Sequence, residues 1–144
     1  MLREDGIVMD DGTTTRISEN HYHMTTTTAQ AANVLSHLEY YLQLVWPELN
    51  VNVVSSTEQW AGAAIAGPKS RSVMQKLFPS LDVSNDGLPF MGYIEGNLFG
   101  IKARIYRISF SGELAYEVNV ESDNGNFMWE KIMEVGKELS LIHI

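Results

Sequence analysis

The stretch QWAGAAIAGPKSRSVMQKLF, residues 59–78, changes character halfway along, and that change decides the fold. From Trp60 to Ala66 the residues are small and apolar over a length that suits a strand, with so little side-chain bulk that the strand must lie close against another element. Gly67 and Pro68 then make a tight turn, and because proline is tolerated in a first helical turn, residues 67–78 read as a helix. Strand, turn, helix is the pattern to extend outward. Upstream, residues 27–47 place Ala31, Val34, Leu35, Leu38, Tyr41, Leu42 and Val45 at three- and four-residue spacing, an amphipathic helix that Pro47 ends. The alternation in NVNVVSS, residues 50–56, reads as a short strand. Residues 7–28 are rich in threonine and β-branched residues and broken by Ser18, Glu19 and Asn20, which gives a long β-hairpin. Downstream, residues 79–87 are loop-like and residues 89–109 supply two or three strands joined at EGN and FGI. FSGE at 110–113 is a turn, LAYEVNVE a strand, and residues 124–139 a helix with Phe127, Met128, Ile132 and Val135 inward. The class is α+β, a sheet with helices on one face.

Composition bounds the function. With 144 residues, 44% of them hydrophobic and 19% charged, the chain has material for one globular core, and one domain is the expectation. A formal charge of −8, with the ten basic residues scattered, argues against nucleic acid or an anionic membrane as main partner. No cysteine is present, so disulfides, thiol nucleophiles and cysteine metal sites are excluded, in keeping with a cytoplasmic setting. The first residues lack the basic-then-apolar order of a signal peptide, and no apolar run approaches the roughly 20 residues that cross a bilayer.

Two carboxylates stand out. Alternation along 114–121 puts Tyr116, Val118 and Val120 on one strand face and Ala115, Glu117 and Asn119 on the other. Glu117 then has two readings: a solvated outer face, the ordinary product of polar-out alternation, or a pocket carboxylate. Alternation through residues 7–17 puts Asp11 with Ile7, Met9, Thr13 and Ile17, and Asp10 opposite with Val8, Thr14 and Arg16. A carboxylate on a partly apolar face is costly unless partnered or functional. The competing reading makes Asp11 and Gly12 the centre of a hairpin turn. Among the histidines His21, His23, His37 and His143, the HYH pair points both rings to one face without a third ligand at metal spacing, so no metal is expected. GPKSR at 67–71 has the look of a phosphate cradle, yet it lacks a glycine-rich loop, and Arg71 is expected to pair locally. Trp46, Trp60 and Trp129 read as packing residues.

Three stretches, residues 1–28, EQWAGAAIAGPKSR, and LPFMGYIEG with RISFSGELAYEV, together resemble the folate-binding, aminomethyltransferase-like region of the α subunit of heterotetrameric sarcosine oxidase, over residues 1 to about 138. The glycine-cleavage T-protein, dimethylglycine dehydrogenase and sarcosine dehydrogenase share the skeleton, and DDGTTTR, TTTTA, QWAG and FSGELAYEV favour the sarcosine oxidase branch. The resemblance implies one mixed sheet formed by the hairpin, the strand near Ala63 and the strand ending at Glu121, with the helices beginning near Ala29 and Pro68 packed on it. It also implies a site. The family's strand aspartate, second of an acidic pair and near N10 of tetrahydrofolate, falls on Asp11. The glutamate that hydrogen-bonds the pterin, seven residues after an aromatic, falls on Glu117, with Phe110 as the aromatic and Tyr116 and Thr27 as further cofactor-binding positions. Phe110 stands where the T-protein has tyrosine, so ring packing alone carries over, and Thr27 stands where it has asparagine.

The chemistry implied is acceptance of a one-carbon unit. A flavin on another subunit oxidises the N-methyl of sarcosine, and the unit reaches tetrahydrofolate as a methylene-iminium or as formaldehyde, giving 5,10-methylenetetrahydrofolate beside glycine and hydrogen peroxide. FAD, FMN and NAD are implied for the complete complex, whose other parts are a flavoprotein β subunit and small γ and δ subunits. Two alternatives stand beside this: an aminomethyltransferase acting on a lipoyl-bound group, marked by YTGE in place of FSGE, and a non-enzymatic folate-binding relative. The family's folate-binding part is more than twice this length and the α subunit carries a dinucleotide-binding part before it, so the chain is expected to be a fragment, inactive in isolation. Its end, LSLIHI at 139–144, resembles a translated sequencing-library adapter and is expected to be a non-native tail.

Overall fold

In the computed structural model, residues 1–139, 141 and 142 are described. Contacts divide the chain into two compact units, Met1–Thr57 and Glu58–Ile144.

In the first unit, β1 (Thr14–Ser18) pairs antiparallel with β2 (His21–Met24) around Glu19 and Asn20, where the polar break predicted a turn. The ladder is shorter than residues 7–28, with an irregularity between Arg16 and Ser18. A 3₁₀ turn at Thr28–Gln30 leads into α1 (Ala31–Tyr40), and a wider π-type turn at Tyr41–Val45 closes the helix. Trp46, at φ −128° and ψ 53°, leaves the helical region just before Pro47, as the clash of a proline ring with the preceding residue requires. Residues 50–56 form no strand: Val51 and Val54 are 53% and 81% exposed. Alternation gives a strand only where another strand takes up its N–H and C=O groups, and none pairs with this segment.

In the second unit, β3 (Trp60–Ala66), β4 (Tyr93–Leu98), β5 (Ile101–Tyr106) and β6 (Ala115–Glu121) form one sheet in the order β3-β6-β5-β4. Every pair is antiparallel. The α+β class is as expected, but the pairing differs from a single mixed sheet, since the hairpin is a two-stranded sheet of its own. Connections as short as those joining β4 to β5 and β5 to β6 do not reach far enough for parallel neighbours. Phe99 and Gly100, with φ of 49° and 99°, make the two-residue turn between β4 and β5, both positive as a type I′ hairpin needs. Residues 95–97, expected at a joint, lie instead within β4, where Asn97 Oδ1 accepts the Gly100 N–H at 2.6 Å.

Helices α2 (Ser70–Leu77) and α3 (Gly125–Gly136) pack on one face of this sheet. Val73, Met74 and Leu77 of α2 and Met128 and Ile132 of α3 close over Ile65, Ile105, Tyr116, Val118 and Val120, all buried. Phe127 stays half-exposed beside Lys131. The bareness of β3 is used as predicted: a Cβ added at Gly125 would sit 2.8 Å from the Ala61 Cβ, so α3 crosses at close range. Gly67 adopts φ +115°, which its lack of a side chain permits, and turns its N–H onto Leu114 O at 2.9 Å. Ser70 Oγ donates to the same carbonyl, so the entry of α2 is pinned to the start of β6. Leu141 packs on the second unit's core and caps α3 through Gly136 O; residues 140, 143 and 144 of the expected tail lie outside the described residues. No helix among the described residues is long and apolar enough to cross a membrane.

Candidate functional site

The register of the four-stranded sheet fixes what surrounds Glu117. Ala64 of β3 and Tyr106 of β5 are its partners, and one step along the same face Asn119 lies between Gly62 and Arg104. This face is turned away from α2 and α3. On β3 it shows the half-buried Trp60 and then the exposed small residues Gly62, Ala64 and Ala66, beside the half-buried Glu117 and Asn119. The face is low along this edge strand, because glycine and alanine stand where neighbouring strands carry long side chains.

Glu117 lacks a hydrogen bond or ion pair among the described residues, and desolvation by burial raises its pKa above the ordinary value. It is an acceptor held ready without a donor. Opposite it, Tyr106 is buried, its ring tilted against that of Tyr93 with centroids 5.1 Å apart, and burial pushes its hydroxyl pKa up as well. Beyond, Lys102 and the Tyr93 hydroxyl hold Glu95 below the usual carboxylate range, so that carboxylate is already committed. The sign of the Glu117 shift has a measurable consequence. A carboxyl whose folded pKa is raised destabilises the fold while ionised, and that cost is relieved as pH falls through the folded pKa toward the ordinary 4.5. Glu117→Gln is therefore expected to raise the Tm at pH 7 without ligand, with the gain vanishing in mild acid; a variant of lower Tm at pH 7 would show that the carboxylate supports the fold.

Tyr116 stands on the opposite face of β6 and is fully buried. Its hydroxyl accepts from Arg71 Nε at 3.0 Å and donates to Val83 O at 3.3 Å, so it is part of the core and is not brought beside Glu117. Arg71 also reaches Asn85 Oδ1 at 2.6 Å, so it pairs with distant segments of the chain and not locally as expected of GPKSR. Phe110, in the bend after β5, is 106% exposed, with no packing partner for its ring.

In the first unit the two aspartates exchange the roles that alternation gave them. Residues 10–13 precede the ladder, which begins at Thr14, so period-two alternation does not govern them. Asp10 is buried and its Oδ2 accepts the Thr27 N–H at 2.9 Å, while Asp11 is exposed. Thr13 and Thr25 join the same two segments through their hydroxyls at 2.9 Å, with Thr25 N donating to Thr13 O. Asp11 borders a shallow cavity of about 80 Å³, also lined by Gly12, Thr25 and Thr26. Thr27 is exposed, with its amide on Asp10. The Thr27 hydroxyl, and then its amide, lower the Asp10 pKa. A lowered carboxylate adds stability above its unfolded value that disappears as pH falls through the folded one. Asp10→Asn is thus expected to lower the Tm at pH 7 and to match the parent only once pH has fallen through the lowered folded pKa; equal Tm values at pH 7 would remove the anchoring role.

The GCVT N-terminal domain model matches residues 1–144. The chain belongs to the GCVT N-terminal domain family. It is 49% identical over 140 residues to a sarcosine oxidase subunit alpha from Rhizobium meliloti (strain 1021), and 50% identical over 142 residues to one from Corynebacterium sp. (strain P-1). These alignments cover 96% and 98% of this chain but 14% and 15% of the relatives. An aminomethyltransferase from Halothermothrix orenii is 29% identical over 146 residues, covering 99% of this chain and 38% of the relative. Within this GCVT domain, sequence reasoning missed Asp10 as the anchored carboxylate and Arg104 as a neighbour of the Glu117 face. Asn119 was visible beside Glu117 through alternation, whereas Arg104 required the register between β5 and β6. Among the described residues no three His, Cys, Asp or Glu side chains gather as a metal site, and His143 lies outside them.

Proposed function

We propose that this chain is the tetrahydrofolate-accepting part of a sarcosine oxidase α subunit, taking up the one-carbon unit released from sarcosine as 5,10-methylenetetrahydrofolate. The observation that carries this reading is Glu117, a half-buried carboxylate with a raised pKa and no hydrogen-bond or ion-pair partner among the described residues, beside the exposed small residues of β3. A pterin edge offers adjacent N–H donors, and a carboxylate accepting two of them gains charge-assisted bonds while fixing the ring's orientation. The 49–50% identity to two sarcosine oxidase α subunits, against 29% to an aminomethyltransferase, supports the oxidase branch over the transferase. Phe110 in place of the T-protein's tyrosine points the same way.

Tetrahydrofolate supplies the two nitrogens that take the one-carbon unit. Glu117 accepts from the pterin, and the exposed ring of Phe110 offers an apolar surface for the ligand to cover. Asp11 takes the role of base, removing the N10 proton as that nitrogen attacks an electrophilic carbon. Tyr116 contributes by anchoring β6 through Arg71 and Val83 rather than by contact. In this proposal FAD, FMN and NAD belong to the complete complex, which works in the cytoplasm with a flavoprotein β subunit and small γ and δ subunits. The test is binding: titration of the complete subunit with tetrahydrofolate should give saturable binding that Glu117→Gln weakens. Saturable binding of a lipoyl-carried aminomethyl group, with its transfer to folate in the absence of any flavoprotein, would favour the transferase instead.

A further inference from the structure

Two nitrogen donors on the Glu117 face are buried without an acceptor among the described residues: Arg104 Nε and Asn119 Nδ2. They are neighbours, since Arg104 and Asn119 are partners across β5 and β6. Both are also held. The Arg104 guanidinium lies 3.9 Å above the Trp60 ring, and Asn119 lies across β3 so closely that a Cβ at Gly62 would meet its Oδ1 at 2.5 Å. Buried donors are almost always paired in folded proteins, and an adjacent unpaired two, fixed by an aromatic ring and a glycine, mark a place made for an acceptor from outside. One step along β6, Glu117 is the reverse case, an acceptor without a donor.

We propose that Arg104 and Asn119 recognise a ring carbonyl beside the N–H donors taken by Glu117, so that the face selects a 2-amino-4-oxo heterocycle over its 2,4-diamino counterpart. The inference rests on the reading that Glu117 holds the pterin of a folate. A two-residue step spans about 7 Å of strand, a distance that side chains leaning together close to the width of a ring edge. The order along the face, acceptor then donors, complements an edge that runs from amino and N–H groups to C=O. A free carboxylate would also satisfy the donors, but it would share the face with the ionised Glu117, and like charges at that separation repel. A 4-amino group would set a donor against Arg104 and Asn119, leaving those buried groups unpaired, and a site built to hydrogen-bond one group rejects the analogue lacking it.

The test compares tetrahydrofolate with its 4-amino analogue, titrated calorimetrically into the complete subunit and into Arg104→Met, Asn119→Ala and Glu117→Gln. The expected result is that Arg104→Met and Asn119→Ala each weaken tetrahydrofolate by about tenfold while leaving the 4-amino analogue unchanged or tighter. A merely structural role would weaken both ligands alike. Equal effects on the two ligands, or none on either, in whichever of the two variants folds, overturn the carbonyl assignment alone. No tetrahydrofolate binding by the parent, or binding that ignores Glu117→Gln, overturns the folate reading on which it rests.

Discussion

In an intact complex, Asp11→Asn is expected to cut the yield of 5,10-methylenetetrahydrofolate by about 100-fold, with formaldehyde released instead, while sarcosine-driven reduction of the flavin stays within about twofold. The magnitude is the low end of what a positioned general base contributes. The separation of effects follows from the proposed division of labour, in which oxidation takes place on another subunit and this chain holds only the acceptor. Asp11 suits a clean test because it is exposed while its neighbour Asp10 carries the structural bonds to Thr27. Amidation at Asp11 leaves the Thr13–Thr25 and Asp10–Thr27 ties in place. Asp10→Asn is the matched control: it should reduce both half-reactions only to the extent that it loosens the fold. Loss of flavin reduction in Asp11→Asn would make Asp11 structural or part of the oxidation site, and an unchanged folate product would remove it as the base.

How much of this could be read from residues alone differs between the two units. In the second unit local pattern and final structure agree apart from residues 95–97, which lie within β4, and Phe127, which stays half-exposed, because the apolar period of the other elements is met by a partner: the bare β3 meets α3 at Gly125, the Gly67 turn is tied to Leu114, and Met128 and Ile132 face the sheet. In the first unit the same rules overreached. The segment 50–56 has a strand's alternation but no ladder, and alternation carried back past Thr14 into irregular chain gave the apolar environment to Asp11 rather than Asp10. Period-two reasoning holds only inside a paired strand, and pairing is a long-range fact. The candidate site divides in the same way. Glu117 and Asn119 sit on one strand and were legible together, whereas Arg104 joins them through a strand neighbour more than ten residues away in sequence, and Trp60 through another. Tyr116 was chosen by resemblance although alternation already put it on the core face, and the structure agrees with the alternation.

Glu117→Gln is expected to weaken tetrahydrofolate binding by roughly tenfold or more, corresponding to the about 1.5–3 kcal/mol of a hydrogen bond to a charged group. Glutamine keeps the shape and one acceptor oxygen but brings an NH₂ against the pterin's own N–H groups, so one charge-assisted bond is lost and the other loses its charge. Protonation does to the native residue what the substitution does chemically, and burial has moved it upward in pH. Because the Glu117 pKa is raised above 4.5, the affinity of the parent should fall with decreasing pH earlier than an ordinary glutamate would require, while Glu117→Gln should show no such fall. Bound ligand donors stabilise the ionised form, so the transition seen in the complex should lie below that of the free protein, and the gap between the two must equal the total change in log Kd across the titration. The same residue is thus expected to act in opposite directions: without ligand its ionised, unpartnered carboxylate weakens the fold, and with ligand that carboxylate supplies the bond. A stability gain and an affinity loss from one substitution separate a binding residue from a structural one, since a carboxylate that merely held the sheet together would lose on both counts.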